Sequence, residues 1–125
     1  MSDTEPITLI WMRSSKRDLL GFPLPVIRAV GFALHQAQVG QVHVDAKPLK
    51  GFAGASVMEI VERHDGDTYR AVYTVRFKTA VYVLHAFQKK AKKGIATPKA
   101  DIDLIRIRLR EAAELERIRQ NEEPK

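Results

Sequence analysis

Residues 80–98 read Ala80-Val-Tyr-Val-Leu-His-Ala-Phe-Gln-Lys-Lys-Ala-Lys-Lys-Gly-Ile-Ala-Thr-Pro98. From Ala80 to Phe87 the run is apolar on both alternating faces, interrupted by His85, as expected of a strand covered on both sides. Lys89, Lys90, Lys92 and Lys93 follow at once. Thr97-Pro98 then has the form of an N-cap followed by proline in the first helical turn. A buried strand therefore carries positive charge to its own C-terminal end, where a phosphate backbone could be held. Lys89 and Lys90 continue directly from the strand, which should fix them. Lys92 and Lys93 sit beside Gly94 and supply longer-range attraction.

The strands before this run follow from the same reasoning. Val57 to Arg63 and Thr68 to Phe77 are strand-like, joined by His64-Asp-Gly-Asp67, whose Asp-Gly dipeptide favours a tight hairpin. A short Lys78-Thr79 link leads into Ala80, so three strands form an antiparallel meander with the last one interior. Further upstream, Ile7 to Met12 suits a strand. Ser15-Lys-Arg-Asp18 resembles a capping box with Asp in place of Glu, opening a short helix that stops near Gly21. Pro25 fits the first turn of a second helix. There Val26, Val30, Ala33 and Ala37 share one face, and Gly40 is placed to end it in a left-handed cap. Residues 41–56 read as a polar loop carrying Lys47 and Lys50.

After Pro98, Ile102, Ile105, Leu109 and Ala112 share a face of a final helix reaching about Arg119, with Asp101 and Asp103 near its positive end. The predicted order is β-α-α-β-β-β-α. This is an α+β fold with a small, mostly antiparallel sheet and helices packed on one face. A single domain is expected over residues 1–125, with its core at about 7–112 and a charged helical tail over 113–125.

The formal net charge is +6 over 125 residues. Residues 111–125 carry five acids and three bases, net −2, which leaves +8 for the body of the chain. Such a body favours an anionic partner. There is no cysteine, which excludes disulfides, thiolate nucleophiles and Cys-based zinc sites. His35, His43, His64 and His85 lack zinc-like spacing, so no metal or cofactor is expected. The N-terminus has no secretory pattern, and no apolar run nears the ~20 residues that span a bilayer. The expectation is a cytoplasmic protein without a membrane partner.

In the meander, Arg70, one of Glu59 or Glu62, and His85 with Lys89 and Lys90 should come close together. Strand alternation allows only one of the two glutamates onto a given face. A carboxylate or imidazole beside cations can cleave RNA through the substrate's own 2′-hydroxyl. That reaction needs a base, cations for the phosphorane and an acid for the leaving oxygen. Each residue also has a structural alternative: Glu59 or Glu62 paired with a cross-strand arginine such as Arg70, His85 satisfied in the core, the lysines solvated.

Lys47-Pro-Leu-Lys-Gly51, Glu59-Ile60, Asp67-Thr-Tyr-Arg-Ala-Val-Tyr73, Val83-Leu-His-Ala-Phe-Gln-Lys-Lys90 and Thr97-Pro-Lys99 together resemble the HigB-like, phage-derived branch of the RelE/ParE superfamily of bacterial toxins. The resemblance covers about residues 7–112. It implies a RelE-like fold and a type II toxin that cleaves translated mRNA on the ribosome without metal. It also implies a cognate antitoxin, usually of helix-turn-helix type, with the complex binding operator DNA. By position, Arg70 matches the phosphate-stabilising arginine, Lys89 and Lys90 the basic strand end, and Lys50 an RNA contact. Lys47, Lys92 and Lys93 join them as RNA- or ribosome-binding candidates. Where some relatives carry lysines in the first meander strand, this chain has Glu59 and Val61. A lysine-based acid–base scheme therefore does not transfer, and Glu59 with His85 becomes the proton-transfer pair to test. The same fold also carries non-hydrolytic gyrase poisons, and a basic nucleic-acid-binding module is a third reading.

Overall fold

The computed structural model describes residues 5–52, 56–89 and 97–122. These form β1 (Thr8–Trp11), α1 (Ser15–Leu20), α2 (Leu24–Gln38), β2 (Ala46–Pro48), β3 (Val57–His64), β4 (Asp67–Thr74), β5 (Ala80–Lys89) and α3 (Lys99–Glu122). The expected order holds with one addition. The stretch read as a loop contains β2, three residues paired antiparallel to β3. So short a strand, ending at Pro48, has too little pattern to be seen in sequence.

The sheet order is β1-β5-β4-β3-β2. β1 runs parallel to β5, and the remaining pairs are antiparallel. Tight local chemistry sets the register of the meander. Asp65 and Gly66 both have positive φ, 50° and 82°, and His64 pairs with Asp67, so the β3–β4 hairpin closes through a two-residue turn of the I′ kind.

The helix ends obey similar rules. At the end of α2, Gly40 has φ 82°, with Gly40 N–H donating to the Ala37 carbonyl and Gln41 N–H to the Gln36 carbonyl. This is a Schellman cap, which only a residue at ease with positive φ closes without strain. The start of α1 lies one residue earlier than expected. Ser14 is the N-cap and makes no side-chain cap bond to the helix, while Ser15 is buried and its hydroxyl donates to the Val83 carbonyl. At α3 the Pro98 carbonyl accepts the first helical bond from Ile102 N–H, so the helix begins after Pro98.

The expected packing of all helices on one face is corrected. α1 and α2 cover one face, where Leu19, Val26, Val30, Ala33 and Leu34 meet Met58, Ile60, Ala71, Tyr73, Val81 and Val83. α3 covers the other, where Ile105 and Ala112 meet Val57, Val72, Tyr82 and Leu84. The reason lies in β5, which is apolar on both faces and needs cover on both.

The last turns of α3 dock instead of projecting. Glu116 is buried and accepts hydrogen bonds from Thr79 N–H (2.8 Å), the Thr79 hydroxyl (2.6 Å), the Tyr82 hydroxyl (2.9 Å) and the Gln120 amide (2.8 Å). Arg119 donates to the Thr79 and Thr8 hydroxyls. Burial acts to raise the Glu116 proton affinity, but the donors outweigh it and hold the carboxyl below the ordinary glutamate value of 4.5.

Glu116→Ala removes the acceptor for three buried donors and is expected to cost about 3 kcal/mol in urea unfolding. Because the folded carboxyl titrates below its unfolded value, its contribution is complete above pH 4.5 and is lost as pH falls through the folded value. The stability gap between wild type and Glu116→Gln should therefore narrow on acidification.

Candidate active site

The α3 face of the sheet also carries polar side chains, on β3 and towards the ends of β4 and β5. Alternation in β3 puts Val57, Glu59 and Val61 on this face, and pairing puts Glu59 opposite Val72 and Val61 opposite Arg70. Glu62 points to the opposite face. One cross-strand row reads Lys47, Glu59, Val72, His85 from β2 to β5. The next reads Val61, Arg70, Phe87.

His85 belongs to this face only because the β4–β5 ladder is irregular. Val72 pairs with His85 but Tyr73 pairs with Val83, so Leu84 is an extra residue. Without it, strict alternation from Tyr82 and Leu84 would turn His85 to the α1–α2 side.

Glu59 is buried and accepts from Arg70 Nη1 at 2.8 Å. Their side chains are 7% and 13% exposed, so this is a largely desolvated pair. Lys47 Nζ lies 4.0 Å from the other Glu59 oxygen. Arg70 Nε is buried with no hydrogen-bond partner among the described residues. Lys89 is half-buried, and desolvation followed by repulsion from Arg70 lowers its ammonium below the ordinary lysine value. The Glu59–Arg70 pairing foreseen as the structural alternative is therefore present, and it sits on the same face as Lys89 and His85.

His85 is 8% exposed and stacks on Phe87, with ring centroids 4.6 Å apart and planes 20° apart. Its Nε2 lies 2.8 Å from Asp101 Oδ1, at the first turn of α3. In the neutral ring, a carboxylate partner makes Nε2 the N–H and leaves Nδ1 as the lone pair. Nδ1 is buried with no partner among the described residues. Burial lowers the imidazole's proton affinity, Asp101 opposes this and Arg108 adds to it; the net direction is below 6.5. The result is a neutral, oriented imidazole with an unused acceptor.

Asp101 was read in sequence only as an acid near a helix start. Nothing in the local pattern distinguishes that role from orienting a histidine sixteen positions away. Lys50 is exposed on the turn after β2. Lys90, Lys92 and Lys93 lie outside the described residues.

On the other face, His43, Asp45 and Glu62 bring one ligand-type atom each within 4.8 Å of one another. Burial, then the neighbouring Asp45 carboxylate, push Glu62 up to about 7. His43 Nδ1 accepts the Asp45 backbone N–H at 2.9 Å, so the neutral ring carries its proton on Nε2. With one nitrogen occupied and the other protonated, the group reads as a proton-sharing cluster more than a metal centre.

Two measurements check this geometry. Arg70→Met alone leaves the buried Glu59 with only the distant, exposed Lys47 ammonium and should cost about 3 kcal/mol in chemical denaturation, and Glu59→Leu added to it should recover most of that loss. In an NMR titration His85 should protonate below pH 6.5, and Asp101→Asn should lower its midpoint further, since Asp101 is what raises it.

The fold is shared with known toxins. A mutant of the E. coli toxin RelE in the free state superposes with a TM-score of 0.50 at 17% identity, covering 72% of this chain and 88% of that one. The toxin–antitoxin complex RelBE2 from Mycobacterium tuberculosis gives 0.44 at 21% identity, covering 73% and 100%. No curated protein sequence matches. Residues 17–110, most of the chain and all of the face described above except β1 and the end of α3, match the family described as "Phage derived protein Gp49-like (DUF891)". The chain thus belongs to the phage-derived Gp49-like family.

Proposed function

We propose that the protein is the toxin of a type II toxin–antitoxin system, a ribosome-dependent endoribonuclease that cuts translated mRNA without a metal. The observation that carries this reading is the row of side chains on one sheet face: Glu59 held by Arg70, and His85 oriented by Asp101 with its Nδ1 unused. Glu59 and His85 flank Val72 on neighbouring strands, so their Cα atoms stand about 10 Å apart. That span accommodates a phosphodiester between the His85 imidazole and the Glu59–Arg70 pair. The basic body of the chain supports an RNA partner.

The roles divide by chemistry. His85 Nδ1 takes the proton of the substrate 2′-hydroxyl as that oxygen attacks the adjacent phosphorus. Arg70 and Lys89 neutralise the phosphorane, for which the Arg70 Nε–H is still available. Glu59, ionised in its pair with Arg70, holds that guanidinium in place, and the leaving 5′-oxygen takes its proton from the Lys89 ammonium, whose hold on it is weakened. Lys47 and Lys50 at the rim, with Lys90, Lys92 and Lys93, bind rRNA or mRNA backbone. The partners are a helix-turn-helix antitoxin, the ribosome with mRNA and, for the complex, operator DNA. The protein acts in the cytoplasm, and its resemblance to HigB-like toxins supports assigning it to that branch of the superfamily.

The deciding experiment is induced expression followed by mapping of mRNA 5′ ends on translating ribosomes. Cuts should appear within translated frames and fall by roughly 100-fold with His85→Ala or Arg70→Ala. DNA damage without RNA cuts would replace this reading with a gyrase poison on the same fold, and neither effect would leave a non-catalytic basic module. Since a base acts deprotonated and the His85 value is lowered, single-turnover cleavage should fall to half its plateau only below pH 6.5. Cleavage that already halves at or above pH 6.5 would exclude His85 as the base.

A further inference from the structure

The bulge that turns His85 onto the Glu59–Arg70 face leaves a carbonyl to be satisfied. Leu84 is the residue without a counterpart in β4. Its carbonyl oxygen accepts from Arg108 Nη1 at 2.9 Å in a buried setting. Arg108 is only 9% exposed and lies on α3, two turns after Asp101, the residue that binds the His85 ring. Its other guanidinium nitrogen lies 3.5 Å from the Ser14 hydroxyl, which in turn donates to Asp18 Oδ2 at 2.7 Å. A chain of polar contacts thus runs from α1 through Ser14 and Arg108 to the extra residue of β5.

A buried guanidinium is costly, and no carboxylate lies within ion-pair distance of Arg108 among the described residues. Packing alone does not account for a charged residue here. Ile105 and Ala112 on the same helix face show that apolar side chains satisfy this interface. What only an arginine supplies is a donor long enough to reach a main-chain carbonyl across the sheet face, with a second donor left for Ser14.

We propose that Arg108 is the positioning residue for His85: by holding the Leu84 carbonyl it locks the β5 bulge and so keeps the imidazole on the face shared with Glu59 and Arg70. It touches neither His85 nor any reacting atom and acts through the backbone of β5. The role in cleavage rests on the function proposed above, whereas the role in locking the bulge does not.

Arg108 also faces His85 electrostatically. The charged groups around the ring are Asp101 and Arg108 from α3 and Asp18 from α1, and of these Arg108 alone favours the neutral imidazole. Loss of Arg108 therefore raises the His85 midpoint even where the strand does not move, and loosening of the bulge raises it further by admitting water.

The test uses Arg108→Gln and Arg108→Lys in the full chain, followed by NMR. In the wild type, the His85 ring should show strong NOEs to the Val72 methyls opposite it on β4, and the Arg108 guanidinium protons should exchange slowly with solvent. In Arg108→Gln the NOEs should weaken or vanish and the His85 midpoint should rise. Arg108→Lys, with charge and one donor, should restore the NOEs in part. In ribosome-bound cleavage, Arg108→Gln should lower kcat roughly 10-fold or more with KM little changed, because what is lost is the alignment of the base and not RNA affinity. Retained NOEs in a folded Arg108→Gln would overturn the proposal, whether or not the His85 midpoint moves. Should that variant not fold, fast exchange of the wild-type Arg108 protons would overturn it equally, and slow exchange together with partial NOE loss in Arg108→Lys would support it. A wild type that cleaves no RNA, with His85 displaced in Arg108→Gln, would remove the proposed function and leave the positioning role standing.

Discussion

Leu84 has no partner in β4, and the consequences reach across the molecule. Up to Val83, β5 alternates regularly between two cores, with Val81 and Val83 under α1 and α2, and Tyr82 and Leu84 under α3. The extra residue resets this phase. Beyond it Ala86 returns to the α1–α2 core, while His85, Phe87 and Lys89 come to lie on the face of Glu59 and Arg70. Because the side-chain period of a strand is two, a one-residue shift exchanges every side chain after it between faces. The same strand can therefore be an apolar interior element at its start and the wall of a polar site at its end.

Two kinds of charge sit around this strand. At one end Glu116 gathers Thr79, Tyr82 and Gln120 and joins the last turns of α3 to the start of β5. Its acceptors are all used, so it behaves as part of the core. At the other end, Arg70 Nε and His85 Nδ1 are buried and unused among the described residues, although each residue is anchored by its remaining atoms. Buried polar atoms are nearly always paired, so a fixed side chain with one spare donor or acceptor has the form of a site prepared for a ligand. The two ends thus differ in how fully their polar atoms are paired and not in how deeply they are buried.

The fold was largely legible in the sequence because it rests on short-range rules. Asp65-Gly66 specifies the hairpin turn, Gly40 the end of α2, and Pro23 and Pro25 the break before it. The double-sided apolar character of β5 announced an interior strand. The same observation, followed to its end, also implied helices on both faces, which the one-sided packing expected from sequence overlooked. Alternation correctly separated Glu59 from Glu62, since it needs only the strand and its period.

What the sequence determined by itself was the set of elements apart from β2, the separation of Glu59 from Glu62, and the position of Lys89 at the end of β5. What only the tertiary structure decided was His85's face, its bond to Asp101, the burial of Arg108 and Glu116, and the meeting of His43 and Asp45 with Glu62. The physical reason is range. Turn, cap and alternation preferences act over a few residues and leave their pattern there. A β-bulge instead depends on how two strands and a distant helix compete for the same backbone groups, and its residue, Leu84, looks like any other in an apolar run.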